Sequence, residues 1–344
     1  MIDLFAGCGG LTSGFVATNG FIPVGAVELN LDAAATYSAN FGDHMYVGDI
    51  TDWVQGAVPF AEVVVGGPPC QGFSMLGRRD AHDPRNQLWE QYINALVRIK
   101  PAFFVIENVP QFLDSPEFLA LTAETRRGGR LAGWSLETWV LNAGDYGAAQ
   151  ARRRAVVIGR QSAMRLLGMP QPLTKHPIVA DALANVEPRV TTIDLPDSSF
   201  EFRGKYVPGI FKMRDLHVTR RPSEVSMSRY RAIPYGGSRF DLPDDLKTPG
   251  WRKHLSGAGD VMGRLRWERP SVTIRTEFFK PEKGRYLHPE QHRPITHYEA
   301  ALIQGFPMDY GWCGSKMSIA RQIGNAVPIP LARAVAEHLL RHLA

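Results

Sequence analysis

Over the first 160 residues, short apolar runs rich in β-branched and aromatic side chains alternate with longer stretches whose apolar positions recur every three or four residues. The pattern predicts strands at 2–5, 22–27, 45–47, 62–65, 103–106, 136–141 and 155–158. Several are apolar throughout, as parallel strands covered on both faces should be. Between them, residues 87–99 set Leu88, Tyr92, Ala95, Leu96 and Ile99 on one helical face. Such alternation predicts an α/β domain with a doubly wound, mostly parallel sheet of Rossmann-like order. From 161 to 275 the periodicity fades and Pro, Gly and Arg rise, as in RAIPYGGSRFDLPDDLKTPGWRKH. A second, smaller and irregular domain is expected there. Residues 296–304 and 331–343 read as helices again and are expected to pack back on the first domain. The expected domains are therefore 1–160 plus 276–344, and 161–275.

At 344 residues, with 44% hydrophobic and 21% charged positions, the chain has the length and balance of a globular protein with a real core. No apolar run approaches the roughly 18 residues of a membrane span. The start, MIDLFAGCGG, lacks the basic region, apolar stretch and cleavage site of a secretory signal. Three cysteines, Cys8, Cys70 and Cys313, make neither a disulfide framework nor a paired zinc spacing. A reducing cytoplasm is expected, with no metal and no membrane partner.

Net charge changes the picture through its distribution. The whole chain carries 39 basic against 34 acidic residues, or +5, but residues 161–275 hold 19 against 12, or +7, leaving 20 against 22 elsewhere. Of the 39 basic residues 30 are arginine, whose planar fork suits phosphates and guanine edges. An arginine-rich genome would give the same composition.

In a doubly wound sheet, ligands bind beyond the carboxyl ends of the strands. After the first strand comes Phe5-Ala-Gly7-Cys-Gly9-Gly10, a turn that lets backbone approach a ligand; after the second comes Glu28, and after the third Asp49. A carboxylate at the second strand tip can take two ribose hydroxyls, and one at the third can accept from an adenine amino group. These features describe an adenosine site but do not separate a nicotinamide cofactor from S-adenosylmethionine. The fourth strand runs into GGPPCQGFS, which places Cys70 at the same edge as a candidate nucleophile. Glu107 ends the fifth strand, and QARRR at 150–154 precedes the last. In an extended segment Arg152 and Arg154 point together while Arg153 points away. Taken singly, Cys70 also reads as a buried structural thiol, Glu107 as a solvated carboxylate and the arginines as a basic turn.

In order and spacing these segments resemble the C5-cytosine methyltransferase family: DLFAGCGG, Glu28, GDI at 48–50, GGPPCQGFS, ENV at 107–109, QARRR, the RPITHYE segment leading to QGFP at 304–307, and QIGNAVP at 322–328. The match covers nearly the whole chain except 161–275. The resemblance implies an S-adenosylmethionine-dependent DNA (cytosine-5) methyltransferase that yields S-adenosylhomocysteine. In it Cys70 adds to C6 of the target base, Glu107 engages N3 and the exocyclic amine, and Arg154, supported by Arg152, binds O2. It implies cofactor contacts from Phe5, Gly7, Gly9, Glu28, Asp49, Ile50, Asn325 and Val327. Residues 74–88 resemble the family's mobile loop over the base, with Gln71, Ser74 and Arg85 as substrate-loop residues. QGFP is expected as scaffold, and Cys8 and Cys313 as structural.

The expected substrate is a flipped-out cytosine in double-stranded DNA lying between the two domains. Arg229, Arg231, Arg239, Arg252 and Arg264 are the expected groove readers. With Met1 at the first strand, a monomeric, minimal enzyme of bacterial or phage type is expected, without a regulatory domain and near the nucleoid through DNA binding. A cognate restriction endonuclease in the same cell is compatible with this, with no stable complex implied. Three rivals remain. One is a tRNA cytosine-5 methyltransferase, whose branch carries a Cys-Phe-Thr element, whereas no cysteine lies between Cys70 and Cys313. The others are a catalytically silent nucleic-acid-binding homologue and a nicotinamide-dependent oxidoreductase.

Overall fold

The seven predicted strands form one sheet in a computed structural model that describes residues 1–69, 86–253 and 256–343. They are β1 (Ile2–Leu4), β2 (Gly25–Glu28), β3 (Met45–Val47), β4 (Val63–Gly66), β5 (Phe103–Asn108), β6 (Trp134–Asn142) and β7 (Arg153–Gln161). Their order is β3-β2-β1-β4-β5-β7-β6. The first five pair in parallel, whereas β7 enters antiparallel to both β5 and β6. This is the doubly wound, mostly parallel, Rossmann-like arrangement expected. Strand β2 starts at Gly25 rather than 22, since Pro23 has no N–H to give a ladder and Ile22 lies exposed.

Helices fill the crossovers: α1 (Gly10–Val16), α2 (Leu31–Phe41), α3 (Ile50–Gln55), α4 (Asn86–Ile99) and α5 (Pro116–Glu124). Local chemistry starts them. Asn30 accepts from Ala33 N, Asp49 from Thr51 N and Ser115 from Phe118 N, each satisfying an otherwise unpaired first-turn donor. The amphipathic stretch expected at 87–99 is α4, which buries Tyr92, Ala95, Leu96 and Ile99 with Val64, Phe104, Ile106 and Val157 of the sheet. Trp89 stacks on Phe112 at 4.5 Å between centroids.

The chain divides into two compact units. The first holds Met1–Tyr146, Arg153–Leu173 and Val327–Ala344; the second holds Gly147–Arg152 and Thr174–Ala326. These bounds differ from those expected, because 276–326 packs within the second unit. Of the three C-terminal helices there, α9 (His297–Gln304) and α10 (Lys316–Asn325) belong to it, after α6 (Val179–Leu183), α7 (Glu224–Ala232) and α8 (Pro249–Lys253). Only α11 (Ile329–Leu343) returns to the sheet unit. It lies so close to α1 that a Cβ on Gly14 would sit 2.4 Å from Ala332 Cβ. A hydrogen is the only side chain that fits there.

The second unit has its own core of Tyr230, Ile233, Leu242, Met262 and Leu287. Arg264 runs through it and donates to the carbonyls of Tyr230, Ile233, His288 and Gln291. Arg293 similarly holds buried Glu299 through two contacts and reaches Pro188 O, while Thr296 and Glu299 form a capping box on α9. Besides its short helices, 161–275 contains a hairpin of β8 (Ser199–Phe202) and β9 (Lys205–Pro208) that the faded periodicity hides.

Candidate active site

The ends of the parallel strands gather the first set of candidates. Beyond β1 the backbone turns sharply, with Phe5 at φ 60 and Gly7 at φ 55. A left-handed non-glycine residue such as Phe5 is costly and is held only where its surroundings over-determine it. Gly9 serves as the N-cap of α1. A Cβ on Gly7 would meet nothing within 4 Å, so the turn leaves open space on its outer side. Glu28, at the tip of β2, locks this turn: Gly7 N donates to Oε2 and Asn30 N to Oε1, both at 2.8 Å. Burial raises the Glu28 carboxyl above the ordinary range, opposed by those backbone donors. The carboxylate's roughly four acceptor positions exceed these backbone donors, which leaves capacity for a further donor such as a ribose hydroxyl.

Asp49 caps α3 through Oδ1, 2.7 Å from Thr51 N, and Ile50 is buried as the first residue of that helix. The expected cofactor carboxylate is thus also a helix cap, with Oδ2 left over from that bond. Val327 lies buried in the first unit. Asn325 ends α10 in the second, where Gln304 Nε2 holds the adjoining carbonyl of Ile323.

Under the glycine turn lies a polar chain absent from the sequence reading. Thr12 Oγ1 donates to Asp3 Oδ2 at 2.7 Å; Tyr37 OH lies 3.3 Å from Thr12 Oγ1 and 3.0 Å from His44 Nε2. Asp3 Oδ1 is buried with no hydrogen-bond partner. Burial, with the Glu28 charge nearby as a lesser cause, pushes the Asp3 carboxyl up from 3.8 to about 7. A raised carboxyl favours folding fully below its ordinary value, and that contribution is lost as pH rises through about 7. Asp3→Asn should therefore gain stability relative to wild type between pH 5 and 8.5, by on the order of a few kcal/mol. Denaturant melts of both proteins at the two pH values measure it, and parallel profiles would exclude the buried charge. Burial likewise pushes the Cys8 thiol up, which suits an inert side chain.

The second set of candidates meets because β7 is antiparallel. A strand of that sense begins where its parallel neighbours end, so the arginines at its start arrive beside the end of β5. Glu107 faces Val156 in register, and Arg154, two residues before Val156, shares that face. Arg154 Nε lies 2.8 Å from Glu107 Oε1, with side-chain exposures of 14% and 11%. At such shielding solvent screens the pair less than it would a surface one. Glu107 Oε2 faces Gly67, where an added Cβ would lie 3.5 Å away.

Arg152 belongs to the second unit, is nearly fully buried, and donates to Ile274 O and Gly324 O at 2.8 and 3.0 Å. The expected groove readers also separate. Arg264 is consumed by its four carbonyls, and Arg239 is buried over Phe240 with Nη2 on Ser256 O. Arg229 stacks on Trp251 and donates to Leu246 O. Arg231 and Arg252 are exposed.

Cys70, Gln71, Ser74 and Arg85, with the loop that contains them, lie outside the described residues. The turn leading to them is described. Asn108 Nδ2 donates to Pro68 O at 3.0 Å while Asn108 Oδ1 accepts from Val109 N, tying the end of β5 to the Pro68-Pro69 turn after β4. Sequence reading passed over Asn108, although its place beside Glu107 was a usable signal. It passed over Gln150 too, which is fully buried, donates to Gln304 and accepts from Ile274 N.

Comparison with known proteins bears on the whole chain. A family model for C-5 cytosine-specific DNA methylase matches residues 1–341. The type II methyltransferase M1.HphI of Haemophilus parahaemolyticus is 33% identical over 353 residues, covering 99% of this chain and 86% of that protein. M.DdeI of Desulfomicrobium norvegicum is 30% identical, covering 98% and 88%. Among solved structures, an E. coli prophage protein described as a DNA modification methyltransferase superposes with TM-score 0.74 at 24% identity, covering 99% of this chain and 98% of that one. The Entamoeba histolytica methyltransferase EhMeth gives 0.62 at 15%, covering 100% and 98%. The structural likenesses speak for the fold alone.

Proposed function

The chain belongs to the C-5 cytosine-specific DNA methylase family, and from that premise we propose that it methylates C5 of a flipped-out cytosine in a specific duplex DNA sequence through a covalent cysteine adduct. The observation that carries this reading is the Glu107 to Arg154 pair beside the Gly67-Pro68-Pro69 turn that runs into Cys70. A cytosine inside a duplex is out of reach, and extruding it costs about a few kcal/mol of pairing and stacking.

S-adenosylmethionine, when bound, supplies an electrophilic methyl group on a sulfonium. The open side of Gly7 and the spare acceptor capacity of Glu28 and Asp49 fit its adenosyl part. Phe5, Gly9, Ile50, Asn325 and Val327 complete the proposed contacts. Cytosine C5 is a poor nucleophile. Cys70 thiolate adds to C6 and pushes the ring electrons to C5, which then takes the methyl group. Glu107 engages N3 and the exocyclic amine, so charge driven into the ring is neutralised as it develops. Arg154, already paired with Glu107, donates to O2. Loss of the C5 proton and expulsion of the thiolate restore the aromatic base and the enzyme. Arg152 supports Arg154 from the residue before β7, where it donates to the carbonyls of Ile274 and Gly324.

We assign the reading of the DNA sequence to residues 161–275, which hold the excess positive charge, and extend to this chain the partner endonuclease that the relatives' type II names imply. Labelled S-adenosylmethionine offered with duplex DNA and with tRNA tests the substrate. Label should enter duplex DNA, at one sequence by bisulfite mapping. Label confined to tRNA would replace this reading with its rival.

A further inference from the structure

We infer that the hairpin of β8 and β9 is a rigidly mounted arm that enters a groove of the DNA duplex. The inference rests on duplex DNA being the substrate. The hairpin has a two-residue tip, Arg203-Gly204, with φ of 51 and 74, the conformation that matches the twist of paired strands. Opposed residues share a face. Phe200, Phe202 and Lys205 lie on the face that includes Val207; Val207 is buried and both phenylalanines are half-buried, whereas Lys205 beside the tip is exposed. Glu201 and Tyr206 form the other face, and both are exposed, Tyr206 at 79%.

The base of the arm is fixed. Gly209 N donates to Ser198 O, Ser198 Oγ to Gly209 O, and Gly314 N to Pro208 O. Phe211 exchanges both backbone hydrogen bonds with Trp312, which is fully buried among Phe306 and Tyr310. A hairpin mounted this way keeps its tip in solvent without fraying. Four residues a side span about 13 Å, and a two-stranded ribbon fits the major groove, about 12 Å wide.

The chemistry of the exposed parts suits that groove. Arg203 and Lys205 at the tip are cations for phosphates or guanine edges, Glu201 is an acceptor for a cytosine amino group, and Tyr206 offers a flat apolar surface. Of the expected readers Arg264 and Arg239 are buried in their own unit, so this arm adds basic and aromatic side chains to the exposed Arg231 and Arg252.

Steady-state methylation by the full-length enzyme with Arg203→Gln and Lys205→Gln, singly and together, tests phosphate binding. Each exposed substitution should raise KM for DNA several-fold and the pair at least tenfold, with S-adenosylmethionine affinity unchanged. The slope of log KM against log salt should fall by about 0.9 for each phosphate that the variant no longer neutralises. Glu201→Ala and Tyr206→Ala should broaden the methylated sequence in bisulfite maps. If wild type methylates duplex DNA and all five variants keep its KM, salt slope and site choice, the arm is not a reader and the function stands. If wild type methylates no duplex DNA, the function and the arm fall together.

Discussion

Cys70→Ala is expected to reduce methyl transfer to background while leaving S-adenosylmethionine affinity within a few-fold. The thiolate acts only in the addition to C6, so binding of the cofactor does not draw on it. The turn that delivers Cys70 is held from the opposite strand by Asn108 on Pro68 O, so an alanine at 70 leaves that anchor in place. A duplex with 5-fluorocytosine at the target adds a positive readout. Fluorine at C5 cannot leave as a proton, so wild type should stay attached to the DNA through denaturing electrophoresis and the alanine variant should not. An active alanine variant, or no adduct with wild type, would remove Cys70 from the reaction.

Glu107→Gln should slow methylation by about 10²- to 10⁴-fold, the usual reach of a positioned acid or base. Glutamine keeps the shape but loses the charge, so it is a weak partner for N3 and for Arg154. The substitution also strands the Arg154 guanidinium at a site only 14% exposed, so some loss of thermal stability should accompany the slower rate. Single-turnover rates separate this from DNA binding, which should persist. Near-wild-type turnover would show that another group engages N3.

Cys70 stands out in the sequence as a candidate nucleophile, because Pro68-Pro69-Cys70 flanked by glycines at a strand end is poor core material. That Glu107 and Arg154 lie side by side required the fold. The seven strands were legible because β-branched and aromatic runs of the right length are local signals, and the tips of parallel strands gather at one edge whatever their order. For that reason Phe5, Gly7, Glu28, Asp49 and Glu107 could be picked out before any coordinate.

Pairing sense and partners are not local. Nothing in residues 153–161 states that the strand inserts antiparallel between β5 and β6, yet that insertion sets Arg154 beside Glu107. Alternation along an extended segment placed Arg152 and Arg154 alike, but β7 starts at Arg153, and Arg152 is claimed by the carbonyls of Ile274 and Gly324. The same rule withdrew Arg264 from the surface. Buried carbonyls in irregular backbone need donors, and an arginine fork can satisfy several at once. Sequence by itself determined the sheet's strands, the strand-tip chemistry and, through its motifs, the family. Only the tertiary structure decided which arginine pairs with Glu107 and which arginines hold backbone carbonyls, because a side chain's type fixes what it can donate while the fold of distant segments fixes which acceptors surround it.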